Sequence, residues 1–449
     1  PCCRLSPTLL PFGWPYQLLS LRQFFSICFS LPLIENLMNF SESRLRVRMT
    51  TAVKTRDLII KGMIALLLCC SLNVHAAVKE RWLQKSKFGL MFHYEAFKNH
   101  NPDSYNRTID SFNVDQFVSS VKSTKADYII FVIGQHWGRY CAPNKAYEKL
   151  LGVKNGVWTS RRDLIMELGT QLAKNDIKLI IYMTARAPMR HYQVIKAMGD
   201  TLPSINGKPV GPEINPMSHP KRVKGFRRSE NQAPNPVFLK NWGEVCGEWS
   251  RRYGKLVSGW WFDGYKMEMK EAYEPLKKER YNIDTWIDAV RSGNPEAELA
   301  FNAGAHPILS LCINGKLCPH QTFTSGENHN FFQRTKKGLG KALTPKNFPA
   351  PKGLVWHLLL PASNGWGAGT ELRFKVPYLE ERINLIKAEG GVVTLDVPIS
   401  PTGEIPKKIL KGLQQLGVIV SEIPNNMPDA FNFKVAKEFL GKYSNHTDH

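Results

Sequence analysis

Seven apolar runs recur between residues 88 and 400, each of strand length and each followed by a helical pattern or a polar loop. They read FGLMFHY (88–94), ADYIIFVIG (126–134), IKLIIYMTA (177–185), VSGWWFDG (257–264), AELAFNAG (297–304), GLVWHLLLP (353–361) and GGVVTLDVPIS (390–400). Strands that are apolar throughout, rather than alternating, belong to parallel sheets covered on both faces. The segments between them, such as NVDQFVSSVKST, RRDLIMELGTQLAKN, FLKNWGEVCGEWSRRYG and YLEERINLIKAEG, repeat apolar residues at helical spacing. Seven or eight such units over roughly 330 residues predict an α/β fold, a single (β/α)8 barrel of the TIM type. A doubly wound open sheet is the alternative. No glycine-rich phosphate loop follows the first run, which argues against a nucleotide-binding version of that sheet.

The chain ahead of the first run has a different character. Residues 1–48 carry no domain pattern and are expected to be a non-native upstream extension. From Met49 onward, Lys54, Arg56 and Lys61 precede the apolar stretch MIALLLCCSL, and NVHA ends in the small Ala76 with Val74 at the −3 position. This is the pattern of a secretory signal peptide over residues 49–76, cleaved after Ala76. No later segment has the apolar length of a membrane span, so a periplasmic or extracellular destination is expected. Export permits disulfides, and Cys312 and Cys318 in CINGKLC are spaced to close a small loop, while Cys141 and Cys246 complete the cysteines of the mature chain. The barrel is expected to fill residues 77–420, and the tail over 421–449 is too short for an added β-sandwich. NRT (106–108) and NHT (445–447) would be glycosylation acceptors in a eukaryotic secretory pathway.

The formal net charge is +22, and residues 1–76 hold eight Lys/Arg against three Asp/Glu, which leaves +17 for the mature chain. A basic balance of that size attracts polyanions. No nucleic-acid-binding motif is visible, so an acidic or sulfated oligo- or polysaccharide is the expected partner of an exported chain. No CxxC or His/Cys cluster has zinc spacing, and neither a metal nor a cofactor is expected.

Barrel active sites lie at the C-terminal ends of the strands. The polar residues that end the runs are therefore the candidates: His93, then Gln135, His136 and Trp137, then Arg186, Asp263, Asn302, His357 and Asp396. Histidine and glutamine reach sugar hydroxyls, and tryptophans such as Trp137 and Trp261 offer faces to a sugar ring. Each residue also has a plainer alternative: a satisfied interior histidine, a surface arginine at 186, or an Asp396 that only binds loop backbone.

Glycosidases use two carboxylates that flank the scissile bond. Asp263 closes the run VSGWWFD, an unusual place for an acid unless a rigid strand is meant to hold it at the barrel mouth. Its partner is expected in a later strand-end loop, and QTFTSGENHNFF offers Glu327 among residues without a helical charge pattern. Glu371 in WGAGTELRF is the weaker candidate. In a retaining reaction Asp263 would be the nucleophile and Glu327 the acid/base. The structural alternatives are a helix cap for Asp263 and a plain loop acid for Glu327.

These segments carry a family resemblance over roughly residues 82–420. WLQKSKFGLMFHYEAF, ADYIIFVIGQHWGRYCAPN, SRRDLIMELGTQLAKNDIKLIIYMT, RRYGKLVSGWWFDG, FTSGE and GGVVTLDVPISPTGEIPKKILKGLQQLG are similar, in this order, to segments of the α-L-fucosidases of glycoside hydrolase family 29. The resemblance implies a catalytic barrel, with Asp263 in the nucleophile's place, Glu327 in that of the acid/base, and His93 and His136 on histidines that bind sugar hydroxyls. Several positions depart from the family's pattern. Gln135 and His136 stand for paired histidines, Trp137 for an aspartate, Tyr94 and Glu95 for a tryptophan-glycine pair, and His357 where a glutamate is frequent. The expected function is a secreted, exo-acting retaining glycosidase of the α-L-fucosidase type. The alternatives are the same mechanism on a different or sulfated sugar, and a barrel that binds carbohydrate without cutting it.

Overall fold

The computed structural model describes residues 81–94, 101–186, 191–211, 224–227, 232, 234–264, 276, 278–302, 304, 320–335 and 338–421. Residues 1–48, expected to be an upstream extension, residues 49–76, expected to be a signal peptide, Glu95, the Cys312–Cys318 segment and the tail beyond Ser421 lie outside the described residues.

All seven apolar runs are strands of one parallel sheet: β1 (Gly89–Phe92), β2 (Tyr128–Val132), β3 (Lys178–Thr184), β4 (Val257–Asp263), β5 (Glu298–Phe301), β6 (Trp356–Pro361) and β7 (Gly391–Asp396). Their order is β6-β7-β1-β2-β3-β4-β5. Every residue of β1, β2, β5, β6 and β7 is buried. That is why these runs are apolar on both faces, one set of side chains filling the barrel and the other meeting the helices. The first register, Gly89 opposite Tyr128, needs glycine, because a Cβ there would lie 2.3 Å from the tyrosine ring.

Helices at the expected places cover the sheet: α1 (Val114–Ser123), α2 (Leu164–Ala173), α3 (Pro236–Tyr253), α4 (Ile283–Arg291), α5 (Val376–Ala388) and α6 (Lys407–Ser421). Local chemistry starts several of them. Asn113 and Asp163 accept from the Gln116 and Met166 backbone N–H groups, and Asn282 with Thr285 forms a reciprocal capping box. Among the described residues, no helix is long and apolar enough to cross a membrane.

Residues 322–328 close the cylinder, in a stretch the sequence marks only as a loop. The Thr322 N–H donates to the Leu299 carbonyl of β5 at 2.8 Å. On the other side, Thr324 N–H donates to Val355 O, Leu359 N–H to Gly326 O and Asn328 N–H to Leu359 O, at 3.0, 2.9 and 2.9 Å. An irregular eighth element therefore joins β5 to β6, and the fold is a (β/α)8-type barrel rather than an open sheet. Threonine hydroxyls replace missing ladder bonds: Leu299 N–H donates to Thr322 Oγ1, and His357 N–H to Thr324 Oγ1, at 2.7 and 2.8 Å.

His357 is fully buried, and it secures this closure instead of reaching a substrate. Its Nδ1 faces the carbonyls of Thr324 and Ser325 at 2.9 and 3.1 Å, so it carries the proton, and Nε2 accepts from Thr394 Oγ1 at 2.7 Å. Tyr128 OH donates in turn to Thr394 Oγ1 at 2.7 Å. Burial lowers the His357 pKa to about 4, which keeps the ring neutral. A side chain singled out as a sugar contact is thus a strut across the barrel interior.

Burial also removes one glycosylation acceptor. Asn106 is 1% exposed, with its amide donating to Pro102 O and Gly156 O at 2.7 and 2.8 Å.

Gly326 tests the closure. It adopts a left-handed φ of +69°, and an added Cβ would lie 2.2 Å from the His357 carbonyl oxygen. Gly326→Ala is expected to cost about 1–3 kcal/mol and to lower the thermal midpoint. An unchanged midpoint in a calorimetric melt would show that residues 322–328 do not close the barrel tightly.

Candidate active site

Asp263 lies at the end of β4, paired in register with Thr184 of β3. Two neighbours hold its carboxylate. Tyr182 OH donates to Oδ2 at 2.6 Å, and Asn302 Nδ2 donates to Oδ1 at 2.8 Å. Beneath it, Tyr182 stacks on Trp261 with ring centroids 5.2 Å apart and planes at 18°. The indole Nε1 of Trp261 donates to Ser325 O at 3.0 Å. Trp261 is 2% exposed, so it supports the site from below and offers no free face to a sugar.

Glu327 comes from the closing element and meets the same amide. Asn302 Nδ2 donates to Glu327 Oε2 as well as to Asp263. The amide's orientation is fixed because its oxygen accepts from Ser325 Oγ at 3.1 Å and Gly304 N–H at 3.2 Å. One –NH2 group therefore spends its two protons on two carboxylates. The carboxylate oxygens it binds are separated by no more than two hydrogen-bond lengths laid end to end. A bound of that size on the contacting oxygens is compatible with the ~5–5.5 Å spacing of retaining carboxylate pairs.

The two carboxyl groups are not equivalent. Burial raises the Glu327 pKa to about 7, helped by the Asp263 charge and opposed by the Asn302 hydrogen bond and by His93. Glu327 is thus about half protonated at neutral pH and largely protonated only below it.

Histidines from β1 and β2 line the other side. His93 follows β1, and its Nδ1 meets Asp396 Oδ1 at 2.6 Å. The His136 Nε2 lies 4.0 Å from Asp263 Oδ2. Gln135 and Trp137 flank His136 on the same turn, all three half-buried, with Trp137 6.2 Å from His191 by ring centroids. Trp366 stands 6.0 Å from the His93 ring and 5.8 Å from the His329 ring. The structure thus gathers Asp263, Glu327, His93, His136, Asn302 and Asp396 at one mouth.

Two candidates go elsewhere. Arg186 is 2% exposed, and its guanidinium is taken by Asp200 in a bidentate pair at 2.7 and 2.8 Å and by the Gln232 carbonyl. It anchors the β3 loop to the segment around Asp200. Glu371 is exposed and pairs with Lys408 at 2.6 Å, which lowers its pKa, so it is a surface acid and not the partner of Asp263. Tyr182 is the functional residue the sequence did not mark, because it lies inside a strand, two residues before the strand's end. Trp366 likewise carries no signal in the sequence, because it lies inside a glycine-rich loop. Among the described residues, no group of three or more His, Cys, Asp or Glu side chains could hold a metal ion.

A parallel barrel that brings two bridged carboxylates and two histidines to the C-terminal ends of its strands has the form of a glycoside hydrolase. The family model for alpha-L-fucosidase matches residues 71–422, and the chain belongs to that family. Solved structures that share the fold include two endo-fucoidan hydrolases of glycoside hydrolase family 107. MfFcnA9 has a TM-score of 0.53 at 14% identity, with 76% of this chain and 64% of that one covered. MfFcnA4 has a TM-score of 0.53 at 15% identity, with 76% and 53% covered. The chain thus spans less than two thirds of the length of these structures. No curated protein matches it.

The raised Glu327 pKa sets a pH limit. If the protonated acid is required, kcat/KM should fall as pH rises through about 7, by about tenfold per pH unit above it. Glu327→Gln should remove that limb while lowering the rate. A wild-type profile flat from roughly pH 6 to 9 would contradict the assignment.

Proposed function

We propose that this protein is an exported, exo-acting glycosidase of the α-L-fucosidase type that retains anomeric configuration. The observation that carries the mechanism is the Asn302 amide bound to both carboxylates at once. In the first step Asp263 attacks the anomeric carbon, while Glu327 gives its proton to the glycosidic oxygen. The aglycone leaves, and the sugar remains as an ester on Asp263. In the second step Glu327, now ionised, takes a proton from water. That water attacks the same carbon and frees Asp263. Tyr182 and Asn302 hold one Asp263 oxygen each, so the nucleophile enters the reaction already oriented. His93 and His136 are read as hydroxyl-binding groups, with Gln135 and Trp137 shaping the same wall. Family membership supports fucose as the sugar. The signal-peptide pattern of residues 49–76 supports export.

Asp263→Asn should lower turnover of 4-nitrophenyl α-L-fucoside by several powers of ten. Glu327→Ala should lose less on this activated leaving group than on a natural disaccharide, and azide should rescue it to the α-fucosyl azide. Azide rescue of Asp263→Ala should give the β-azide instead. Nearly intact turnover in Asp263→Asn, or β-fucose as the first product of the wild type, would reject the mechanism. Release of oligosaccharides rather than free monosaccharide would reject exo action.

One observation favours a variant of this reading. The mature charge of +17 suits an acidic or sulfated glycan. Binding to such a glycan should weaken steeply with added salt. Salt-independent affinity, measured by calorimetry at low and high ionic strength, would leave only neutral fucosides.

A further inference from the structure

Asp396 ends β7 and is fully buried, yet it takes no part in the two-carboxylate chemistry. Its two oxygens are spent on two different elements. Oδ1 meets His93 Nδ1 at 2.6 Å, and Oδ2 accepts from the Gly367 N–H at 2.6 Å. His93 belongs to the end of β1, whereas Gly367 belongs to the loop after β6. That loop lies hard against the histidine. Gly367 has a left-handed φ of +59°, and a Cβ on it would fall 2.8 Å from the His93 Cβ. The residue before it is Trp366, whose ring sits between His93 and His329, two residues beyond Glu327.

We propose that Asp396 is a positioning residue for the sugar pocket, fixing the tautomer of His93 and the place of Trp366 over the same bound sugar. This rests on reading the barrel mouth as a sugar site. A carboxylate oxygen only accepts, so the His93 Nδ1 beside it bears the proton. The other ring nitrogen, Nε2, is then an acceptor, the character that a sugar hydroxyl as donor would need. The second oxygen sets the Trp366 loop by the same logic, holding a backbone N–H that a glycine alone allows this close. One buried charge thereby ties together a polar contact and an aromatic wall from opposite sides of β7.

Asp396→Asn separates this role from mere packing. The introduced amide is nearly the same size, and its oxygen can still accept from Gly367 N–H. Its –NH2 then faces His93 Nδ1, which must become an acceptor, so the proton moves to Nε2. Two measurements follow on the full chain: the ring ¹⁵N shifts of His93, assigned with His93→Gln, and kcat and KM for an α-L-fucoside. The wild type should show Nδ1 protonated. Asp396→Asn should show the proton on Nε2 and lose roughly 10- to 100-fold in kcat/KM, the scale of one charge-assisted hydrogen bond, with a thermal midpoint close to the wild type's. An unprotonated Nδ1 in the wild type, or a kcat/KM within about twofold in the variant, would overturn the proposal.

If Asp396→Asn does not fold, the wild-type spectrum decides the histidine arm and Gly367→Ala the loop arm. The added methyl pushes the loop from His93 while leaving Asp396 in place. It should raise KM for the same fucoside, and an unchanged KM would overturn the loop arm. A wild type that cleaves no fucoside would sink the proposed activity and not the Asp396–His93 assignment, because the ¹⁵N measurement needs no turnover.

Discussion

Residues 322–328 occupy the eighth position of the barrel, and backbone pairing is only part of what keeps them there. Threonine hydroxyls at 322 and 324 take up strand N–H groups, and the buried His357 ring binds the Thr324 and Ser325 carbonyls from inside. The chain of hydrogen bonds runs on through Thr394 to Tyr128, across to the second strand. An unpaired polar group in such an interior costs the full desolvation of that group. The network must therefore be satisfied as a whole, and its geometry is correspondingly definite. Glu327 rides on this element. Its position opposite Asp263 follows from how the barrel closes.

The same closure gives Asn302 its role. Ser325, in the closing element, holds the amide oxygen and so turns the –NH2 toward both carboxylates. A single amide that donates to two acids lets them come close. Burial beside a second carboxylate then favours the protonated form of Glu327. The site thus holds two carboxyl groups of the same chemical type, bound by one amide.

Much of the fold was legible in the chain. The seven runs became the seven strands with boundaries shifted by a few residues, since a strand buried on both faces has no polar position to disguise it. Asp263 stood out because a carboxylate ending such a run has no solvent-facing excuse. Glu327 was found as a loop acid, but nothing in TFTSGENHN announces a strand, because side-chain hydroxyls do the work of its backbone ladder. Arg186 and His357 were drawn toward the site by being polar residues near the ends of strands. Each is bound by other partners, Arg186 by Asp200 and His357 by Thr324, Ser325 and Thr394. Tyr182 was hidden by the opposite rule, as an aromatic residue within an apolar run whose hydroxyl emerges beside Asp263.

The sequence by itself determined the number and order of the parallel strands, the helices between them and the acid at the end of the fourth. Those properties depend on period, apolar length and local capping, which a linear chain displays. Only the tertiary structure decided that Glu327, 64 residues beyond Asp263 in the chain, shares an amide with it, that Asp396 serves His93, and that His357 serves the barrel. The physical reason is closure. A cylinder brings the first strand beside the last, so partners are set by register around the ring, and that register is not written in any one segment.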